Sequence, residues 1–319
     1  MSKVLVLGPE KSAYREIFAA HGIECAFCQA KPDDEAAIVE AGKDCEAMLF
    51  TATRFTESLF AALPNLKMIS RSGIGIDTVD MDAATRHGVI VCNSANYGTY
   101  DVAQHTVALL MSLLHSVPRF DKGIKDANHW GASGIPYTHR MSTRKLGIIG
   151  FGRISRWICK MMTGFGMEIM VNDPYASEEA AKELGVKIVS LEELIAESDI
   201  ISVNAPLTKD THHMVDAELI GKMKDGVLIV NTSRGPLIDT DALIEALESG
   251  KIGGAALDVF EQEPFAEDCK LRQFPNVVMT PHIAWRSEEA IQDLLYEVTG
   301  NIIDYFEGRP LRNALNIKK

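Results

Sequence analysis

Three charged side chains in the last third of the chain have the chemistry of a proton-transfer site. Arg234, Glu263 and His282 each lie in a short segment that follows an apolar run typical of a buried strand. The three runs are Val227–Val230, Ala255–Leu257 and Val277–Met279. Because ligands bind at the carboxyl ends of strands in an open parallel sheet, these strands predict one shared site. A guanidinium holds an anion, and an imidazole oriented by a carboxylate moves a proton.

Residues 145–155 predict a strand that enters a glycine turn and leads into a helix. Gly150 permits the tight turn, and Gly152 lets the backbone approach a pyrophosphate at the helix N-terminus. Ser155 replaces the third glycine of the usual fingerprint, at a position that serves close packing of helix on strand. The next predicted strand ends at Asp173, which is suited to bind ribose hydroxyls and to repel a 2'-phosphate. This pattern favours NAD over NADP; the alternative is a simple glycine turn beside a surface aspartate.

The elements that must position these residues alternate between strand and helix in two series. One series runs from residue 3 to about 92 and the other from residue 145 to about 279, which predicts an α/β protein with two doubly wound parallel sheets. The intervening residues 100–115 form a long apolar helix, which we expect to fill a domain junction or to face a partner subunit. Residues 288–306 predict a final helix that returns to the first domain. The predicted domains are therefore 1–98 with 288–319, and 99–287.

Composition excludes some classes of partner. The 319 residues carry a net charge of -12, which argues against nucleic acid or an anionic membrane surface as a partner. The chain shows neither an apolar run of membrane-spanning length nor a signal-peptide pattern at its start, so we expect a cytoplasmic protein. Cys25 and Cys28 have redox-motif spacing but are predicted to be structural, and His212–His213 to be loop residues. We predict no metal site.

The chain resembles the D-isomer-specific 2-hydroxyacid dehydrogenases over nearly its whole length. The matching segments, in the family's order, are Ser72–Asp77, Gly150–Ile154, Asn172–Tyr175, Asn231–Asp239, Gly254–Pro264 and Pro281–His282. The resemblance implies a Rossmann NAD-binding domain and a flavodoxin-like substrate domain built from both termini. It also implies a homodimer joined through the NAD-binding domain, by the helix at 100–115 and the following segment containing Trp130. Ser155 departs from the family pattern, as does Gln104–His105 where Ala-Glu is commoner.

The resemblance implies hydride transfer between NAD and a small 2-oxo acid or D-2-hydroxy acid. His282 is then the acid/base, Arg234 binds the substrate carboxylate and polarises the carbonyl, and Glu263 orients the imidazole. The implied cofactor-binding residues are Ile74, Gly150, Phe151, Gly152, Arg153, Ile154, Asp173, Ala205, Thr232, Ser233, Arg234, Asp258 and His282. The implied substrate-binding residues are Ser72, Gly73, Ile74, Gly75, Arg234, His282 and Trp285.

Two other functions remain open from the sequence. Trp285 is similar to a tryptophan of the C-terminal binding protein branch, where it lines a pocket for hydrophobic 2-oxo acids, although it could instead cap the domain junction. That branch offers the alternative of an NADH-responsive binding protein with weak catalysis. A phosphoglycerate dehydrogenase is the other alternative, and it needs a cationic phosphate pocket that the sequence does not locate.

Overall fold

The computed structural model describes residues 2–127 and 130–317. The chain divides into two compact units, Met1–Gly98 with Ser287–Lys319, and Thr99–Arg286. The outermost residues of the predicted substrate domain, 1 and 318–319, lie outside the described residues, as do residues 128–129 of the predicted dimer segment.

The first unit contains one five-stranded sheet and its covering helices. Its strands have the order β2-β1-β3-β4-β5, and all neighbouring pairs are parallel. This is the flavodoxin-like order, as predicted. Strand β2 and helix α2 were not predicted as elements. The elements are β1 (Lys3–Leu7), α1 (Ser12–Ala20), β2 (Glu24–Cys28), α2 (Glu35–Gly42), β3 (Ala47–Phe50), α3 (Glu57–Ala62), β4 (Met68–Arg71), α4 (Met81–Arg86), β5 (Ile90–Cys92) and α12 (Glu288–Phe306).

The sheet of the first unit is covered on both faces because its central strands β1 and β3 carry buried apolar side chains at successive positions. Leu5 of β1 packs in a cluster with Phe60 of α3, whereas its neighbours Val4 and Val6 pack in a second cluster with Phe18 of α1. The predicted C-terminal helix α12 adds Val298, Ile302 and Ile303 to that second cluster. Since alternate side chains of a strand point to opposite faces, the continuous apolar runs require helices on both sides.

The second unit contains a seven-stranded parallel sheet in the order β12-β11-β10-β9-β6-β7-β8. This is the Rossmann order with one added strand. The sequence order of the strands reverses between the neighbouring strands β6 and β9. The elements are α5 (Thr99–Leu114), α6 (Val117–Ala127), β6 (Lys145–Ile149), α7 (Arg153–Met162), β7 (Glu168–Asn172), α8 (Glu178–Leu184), β8 (Lys187–Ile188), α9 (Leu191–Glu197), β9 (Ile200–Val203), α10 (Ala217–Lys222), β10 (Val227–Asn231), α11 (Thr240–Ser249), β11 (Ile252–Leu257) and β12 (Val277–Met279).

Helix α5 belongs to the core of the second unit, which accounts for its apolar character without a domain junction or a partner subunit. Leu109, Leu110 and Leu113 are buried in one cluster with Ile148 of β6 and Ile158 of α7. The helix is apolar because it packs on the sheet and on α7 within its own unit. Among the described residues, no helix combines the length and apolar character needed to cross a membrane.

Candidate active site

The three predicted catalytic residues follow three adjacent strands. β10 pairs with β11, and β11 pairs with β12, so the segments carrying Arg234, Glu263 and His282 leave the same edge of the sheet side by side. The three strands that were predicted to share one site are therefore neighbours in the sheet. Within each segment, local hydrogen bonds and close packing then fix the position of the side chain.

Arg234 lies in a turn that Asn231 organises from the end of β10. Asn231 is 1% exposed, and its Nδ2 donates to the Arg234 carbonyl at 2.8 Å while its Oδ1 accepts from the Ser233 N–H at 3.0 Å. Arg234 Nη1 donates to the Ser233 carbonyl at 2.7 Å. The side-chain amide therefore replaces the strand hydrogen bonds that end at this point, and the turn is fixed by the protein itself.

Gly235 brings the Arg234 turn against the segment that carries Glu263. A Cβ atom at Gly235 would lie 1.9 Å from the carbonyl carbon of Phe260 and 2.4 Å from the Glu261 nitrogen. Only glycine permits this approach of two backbones. Gly235 lies within one of the segments that match the family, but the sequence alone does not show that it joins the Arg234 and Glu263 segments.

Glu263 and His282 form a hydrogen-bonded pair. Glu263 Oε2 lies 2.6 Å from His282 Nδ1, and Glu263 Oε1 accepts from the Phe260 N–H at 2.9 Å. Burial, the largest influence, raises the pKa of Glu263, but hydrogen bonds from His282 and Phe260 and the nearby charge of Arg234 hold it below its ordinary value. The carboxylate is therefore ionised at neutral pH, and His282 Nδ1 is the donor in this pair.

The orientation of His282 leaves its other ring nitrogen for chemistry. The imidazole is 42% exposed, and within the described part of the chain Nε2 has no hydrogen-bond partner. A histidine with Nδ1 held by a carboxylate and Nε2 open is arranged to give or take one proton at Nε2. Arg234 lies close enough for its charge to act on the same carboxylate.

The turn that carries His282 is held by the fully buried carboxylate of Asp258. Its Oδ1 accepts from the Ile283 N–H and its Oδ2 from the Ala284 N–H, both at 2.9 Å, and its carbonyl accepts from the His282 N–H at 2.7 Å. His282 has a φ of 53°, a left-handed conformation that costs energy for a side chain of this kind. Asp258 thus stabilises a strained turn that presents the imidazole, whereas the resemblance had implied a contact with the cofactor.

Two residues that the sequence analysis did not assign to the site complete this network. Thr280 Oγ1 donates to Asp258 Oδ1 at 2.5 Å, and His105 Nε2 of helix α5 lies 3.0 Å from the same hydroxyl. His105 and Thr280 are 175 positions apart, so no local pattern could have joined them. The Thr-Pro-His order was a usable signal for Thr280 alone.

The glycine turn after β6 lies where the strand order reverses. Gly150 has a φ of 92°, and a Cβ there would lie 2.6 Å from the Asn204 carbonyl at the end of β9. A Cβ at Gly152 would meet open space. Asn204 Oδ1 and Ser155 Oγ are buried and have no hydrogen-bond partner in the described chain. Open space and unsatisfied polar atoms at a topological switch point fit a bound dinucleotide.

Helix α7 differs from the next four helices of its unit at the N-terminus. Gly152 supplies no side-chain cap and the first turn holds no acidic residue. By contrast, α8 to α11 are all capped by side chains and have acids in the first turn. Their caps are Ser177, Ser190, Asp216 and Asp239. The bare N–H groups and positive dipole end of α7 therefore fit a phosphate.

Asp173 occupies the predicted place at the end of β7. Its Oδ2 accepts from the Phe151 N–H and its Oδ1 from the Tyr175 N–H, each at 2.7 Å. A carboxylate has about four acceptor positions, so it retains capacity for ribose hydroxyls. The bond to Phe151 also ties the carboxylate to the glycine turn.

The other predicted cofactor residues differ in what they expose. Phe151 is 2% exposed and packs in the core, so only its backbone borders the turn, whereas Arg153 is exposed and Ile154 half-buried in the first turn of α7. Ala205 and Thr232 are each 8% exposed. The Thr232 hydroxyl lies 2.7 Å from that of Thr106, and the Ser233 hydroxyl donates to the Val203 carbonyl. These hydroxyls are engaged within the protein.

The predicted substrate loop Ser72–Gly75 follows β4 in the first unit. Gly73 has a φ of 149°, and its carbonyl accepts from the Ser94 N–H at 3.1 Å. Asn93 Nδ2 donates to the Ile74 carbonyl at 2.7 Å. Asn93 and Ser94 were not assigned to the site in the sequence analysis. Their hydrogen bonds to the Ile74 and Gly73 carbonyls fix the backbone conformation of the loop.

The remaining features that the sequence analysis singled out are Trp285, the two cysteines Cys25 and Cys28, and the question of a metal site. Trp285 is half-buried after the His282 turn. Cys25 and Cys28 lie on strand β2 as free thiols, and burial raises the pKa of Cys25 to about 11, which makes it unreactive. No cluster of three or more metal-ligating side chains occurs in residues 2–127 and 130–317.

Residues 107–284 match the family model described as "D-isomer specific 2-hydroxyacid dehydrogenase, NAD binding domain". The chain belongs to the D-isomer-specific 2-hydroxyacid dehydrogenase family. It is 37% identical over 289 residues to the glyoxylate reductase of Korarchaeum cryptofilum, covering 89% of this chain and 87% of that protein. The match confirms the predicted family and the NAD-binding character of the second unit.

Two further relatives extend the comparison. The D-3-phosphoglycerate dehydrogenase of Bacillus subtilis is 40% identical over 267 residues, which cover 84% of this chain and 50% of that protein. This chain thus spans about half the length of that dehydrogenase. The structure of D-lactate dehydrogenase from Aquifex aeolicus, complexed with NAD and lactic acid, has a TM-score of 0.90 and 30% identity, covering 99% of this chain and 100% of that one.

Proposed function

We propose that the protein is an NAD-dependent D-2-hydroxyacid dehydrogenase that reversibly reduces a small 2-oxo acid. The observation that carries the proposal is the His282–Glu263 pair beside Arg234, at the same sheet edge as the uncapped glycine turn of a family NAD-binding domain. The family relatives include enzymes named for glyoxylate and lactate, so the class of substrate is a 2-oxo acid and its side chain is left to experiment.

Each residue of the trio has one task in the proposed reaction. Arg234 binds the substrate carboxylate and draws electron density from the adjacent carbonyl oxygen. His282 donates the proton on Nε2 to that oxygen during reduction and accepts it back during oxidation. Glu263 accepts from Nδ1, which fixes the ring and stabilises its protonated form.

The cofactor is NAD, which supplies or accepts the hydride when bound. Gly150, Gly152 and the first turn of α7 would hold its pyrophosphate, and Asp173 its adenosine ribose. We extend the proposed cofactor contacts to Ile74, Phe151, Arg153, Ile154, Ala205, Thr232, Ser233, Asp258 and His282. The hydrogen bonds of Asp258 also give it a role in holding the His282 turn.

We propose that the predicted substrate domain, residues 1–98 with 288–319, binds the substrate through the Ser72–Gly75 loop. Backbone N–H groups in a glycine-containing loop can approach a carboxylate more closely than side chains can. The Asn93 and Ser94 hydrogen bonds support this role because they fix the loop through its carbonyls. Trp285 is proposed as a further substrate contact.

The proposal is tested by NADH oxidation against a panel of 2-oxo acids. The panel contains pyruvate, hydroxypyruvate, glyoxylate, branched and aromatic 2-oxo acids and 3-phosphohydroxypyruvate. We expect turnover with at least one unphosphorylated member. Turnover confined to the phosphorylated compound would instead indicate a phosphoglycerate dehydrogenase. NADH binding without turnover of any member would contradict the enzyme assignment and favour an NADH-responsive binding protein.

Asp173→Ala tests the cofactor assignment. We expect the preference for NADH over NADPH to fall by roughly tenfold, since one or two hydrogen bonds to the ribose and the repulsion of a 2'-phosphate are removed. Affinities for both cofactors would be measured by protein fluorescence. An unchanged preference would remove Asp173 from the cofactor site.

We also propose a homodimer formed through the second unit. The segment after α5 exposes several large apolar side chains, which an isolated subunit would leave in water. They are Val117 (54% exposed), Ile124 (49%), Trp130 (91%) and Tyr137 (98%). Light scattering should give twice the mass of one chain, and Trp130→Asp should weaken association. A monomeric wild-type protein at micromolar concentration would contradict the proposed dimer.

A further inference from the structure

A second histidine–carboxylate pair lies next to the proposed catalytic pair in the same unit. His213 Nε2 lies 2.5 Å from Glu261 Oε1, and Glu261 Oε2 accepts from the Thr240 N–H at 2.9 Å. On its other side, His213 Nδ1 lies 3.8 Å from Asp239 Oδ2. The imidazole is therefore placed between two carboxylates, and the side chains of His213 and Glu261 are only 34% and 30% exposed.

The backbone of His213 is also fixed in place, by its conformation and by a hydrogen bond. Its φ of 52° is left-handed, which is unfavourable for histidine, and its N–H donates to the Pro236 carbonyl at 2.8 Å. Val215 continues with a parallel bridge to Ile238. Residues 213–215 are thus joined to the segment directly after Arg234.

The same pair reaches the segment of Glu263 from the other side. Glu261 lies two residues before Glu263, and Phe260 before it donates to Glu263 and contacts Gly235. Burial, the largest influence, raises the pKa of Glu261, but hydrogen bonds from Thr240 and His213 bring it below its ordinary value. An ionised Glu261 therefore joins the 258–263 segment to the loop that supports the Arg234 turn.

We propose that His213 and Glu261 form a positioning pair that keeps Glu263 against His282 and Arg234 beside it. The inference rests on the proposed function. The pair lies at the far end of the two segments that meet at Gly235 and Phe260, so it limits the freedom of both. His213 and Glu261 act only through those segments, since Glu263 makes the hydrogen bond to His282.

The test compares His213→Gly with His212→Ala. Glycine adopts the left-handed φ without strain and removes the imidazole. His212 is a matched control because it is the neighbouring histidine, with its ring centroid 4.0 Å from that of His213, but is exposed. We expect His213→Gly to lower kcat by roughly tenfold with KM for NADH changed less than about twofold, since small misplacements of reacting groups are costly. His212→Ala should match the wild type.

Two readouts separate positioning from loop stability. In proton NMR, the downfield Nδ1 resonance of His282, identified by its loss in Glu263→Ala, should weaken or shift in His213→Gly and persist in His212→Ala. Glu261→Gln should retain more activity than Glu261→Ala, because the amide oxygen can still accept a hydrogen bond.

The outcomes are distinguishable. A lower melting temperature with unchanged kcat and an unchanged NMR signal would overturn the positioning role. If His213→Gly does not fold, the same readouts are applied to Glu261→Ala, which removes the acceptor, beside Glu261→Gln, which keeps it. Equal kcat values for these two variants would overturn the positioning role. A wild-type protein that turns over no 2-oxo acid would contradict the proposed function, yet the NMR comparison would still decide whether His213 positions the Glu263–His282 pair.

Discussion

The two units of the molecule use the carboxyl ends of their strands in different ways. In the second unit, the strand ends present ionised side chains, and buried groups such as Asp258 and Asn231 hold those side chains in place. In the first unit, the Ser72–Gly75 loop presents mainly backbone, which Asn93 and Ser94 hold through its carbonyls. In the proposed function, chemistry therefore depends on side-chain identity in one unit and on backbone conformation in the other.

Replacement of His282 should have the largest effect if this contrast is correct. His282→Asn retains a residue that tolerates the left-handed φ of 53° but cannot transfer a proton. We expect kcat to fall by roughly 10³-fold, within the range of general acid–base catalysis, with NADH binding nearly unchanged. Steady-state kinetics and fluorescence titration provide the measurement. A variant with wild-type turnover would show that another group moves the proton.

Arg234→Lys should have the next largest effect, because lysine keeps the charge but not the planar fork. We expect kcat/KM for the 2-oxo acid to fall roughly 10- to 100-fold, the equivalent of one charged hydrogen bond. Arg144→Lys is a matched control, since Arg144 forms an ion pair with Asp199 at the opposite edge of the same sheet. Equal kinetics for both variants would argue against a fork-specific role for Arg234.

Gly73→Ala tests the backbone role of the first unit. The positive φ of 149° disfavours alanine, while the nearest obstacle, Arg71 Nη1 at 2.8 Å, belongs to a flexible side chain. We expect a stability loss of about 1–3 kcal/mol from backbone strain and a rise in KM for the 2-oxo acid of roughly tenfold. The free energy of unfolding and KM would be measured together.

Gly88→Ala is the control for that experiment. Gly88 has a φ of 68° and space for a Cβ, and it lies outside the proposed substrate loop. It should lose stability without a change in KM. If Gly73→Ala also leaves KM unchanged, the loop does not bind the substrate and the contrast between the units weakens.

The sequence predicts the elements of both units better than it predicts their contacts. β7, β12 and α12 begin and end where the apolar patterns place them, because each is a periodic run with clear boundaries. β2 is missed because Glu24–Cys28 is short and because the spacing of its two cysteines suggests a redox motif rather than a strand. The His105–Thr280 and Gly235–Phe260 contacts join distant residues through space, which local patterns do not encode.

Asp304 allows a stability test that leaves both proposed binding regions untouched. Its carboxylate is 5% exposed and accepts from Arg309 Nε and Arg312 Nε, each at 2.7 Å. Burial, the largest influence, raises its pKa, but hydrogen bonds from both arginines bring it below the ordinary value of 3.8. Asp304→Asn should therefore destabilise the first unit by about 2 kcal/mol at pH 7, while kcat stays at the wild-type value.

The sign of the pH dependence follows from the direction of that shift. A carboxyl group whose pKa is lowered by folding contributes its full stability above its ordinary pKa and loses it as the pH falls through the folded value. The difference in unfolding free energy between wild type and Asp304→Asn, from urea titrations, should thus be constant from pH 7 to about 5 and shrink below 3.8. A difference that grows on acidification would mean that the two arginines do not stabilise the charged form.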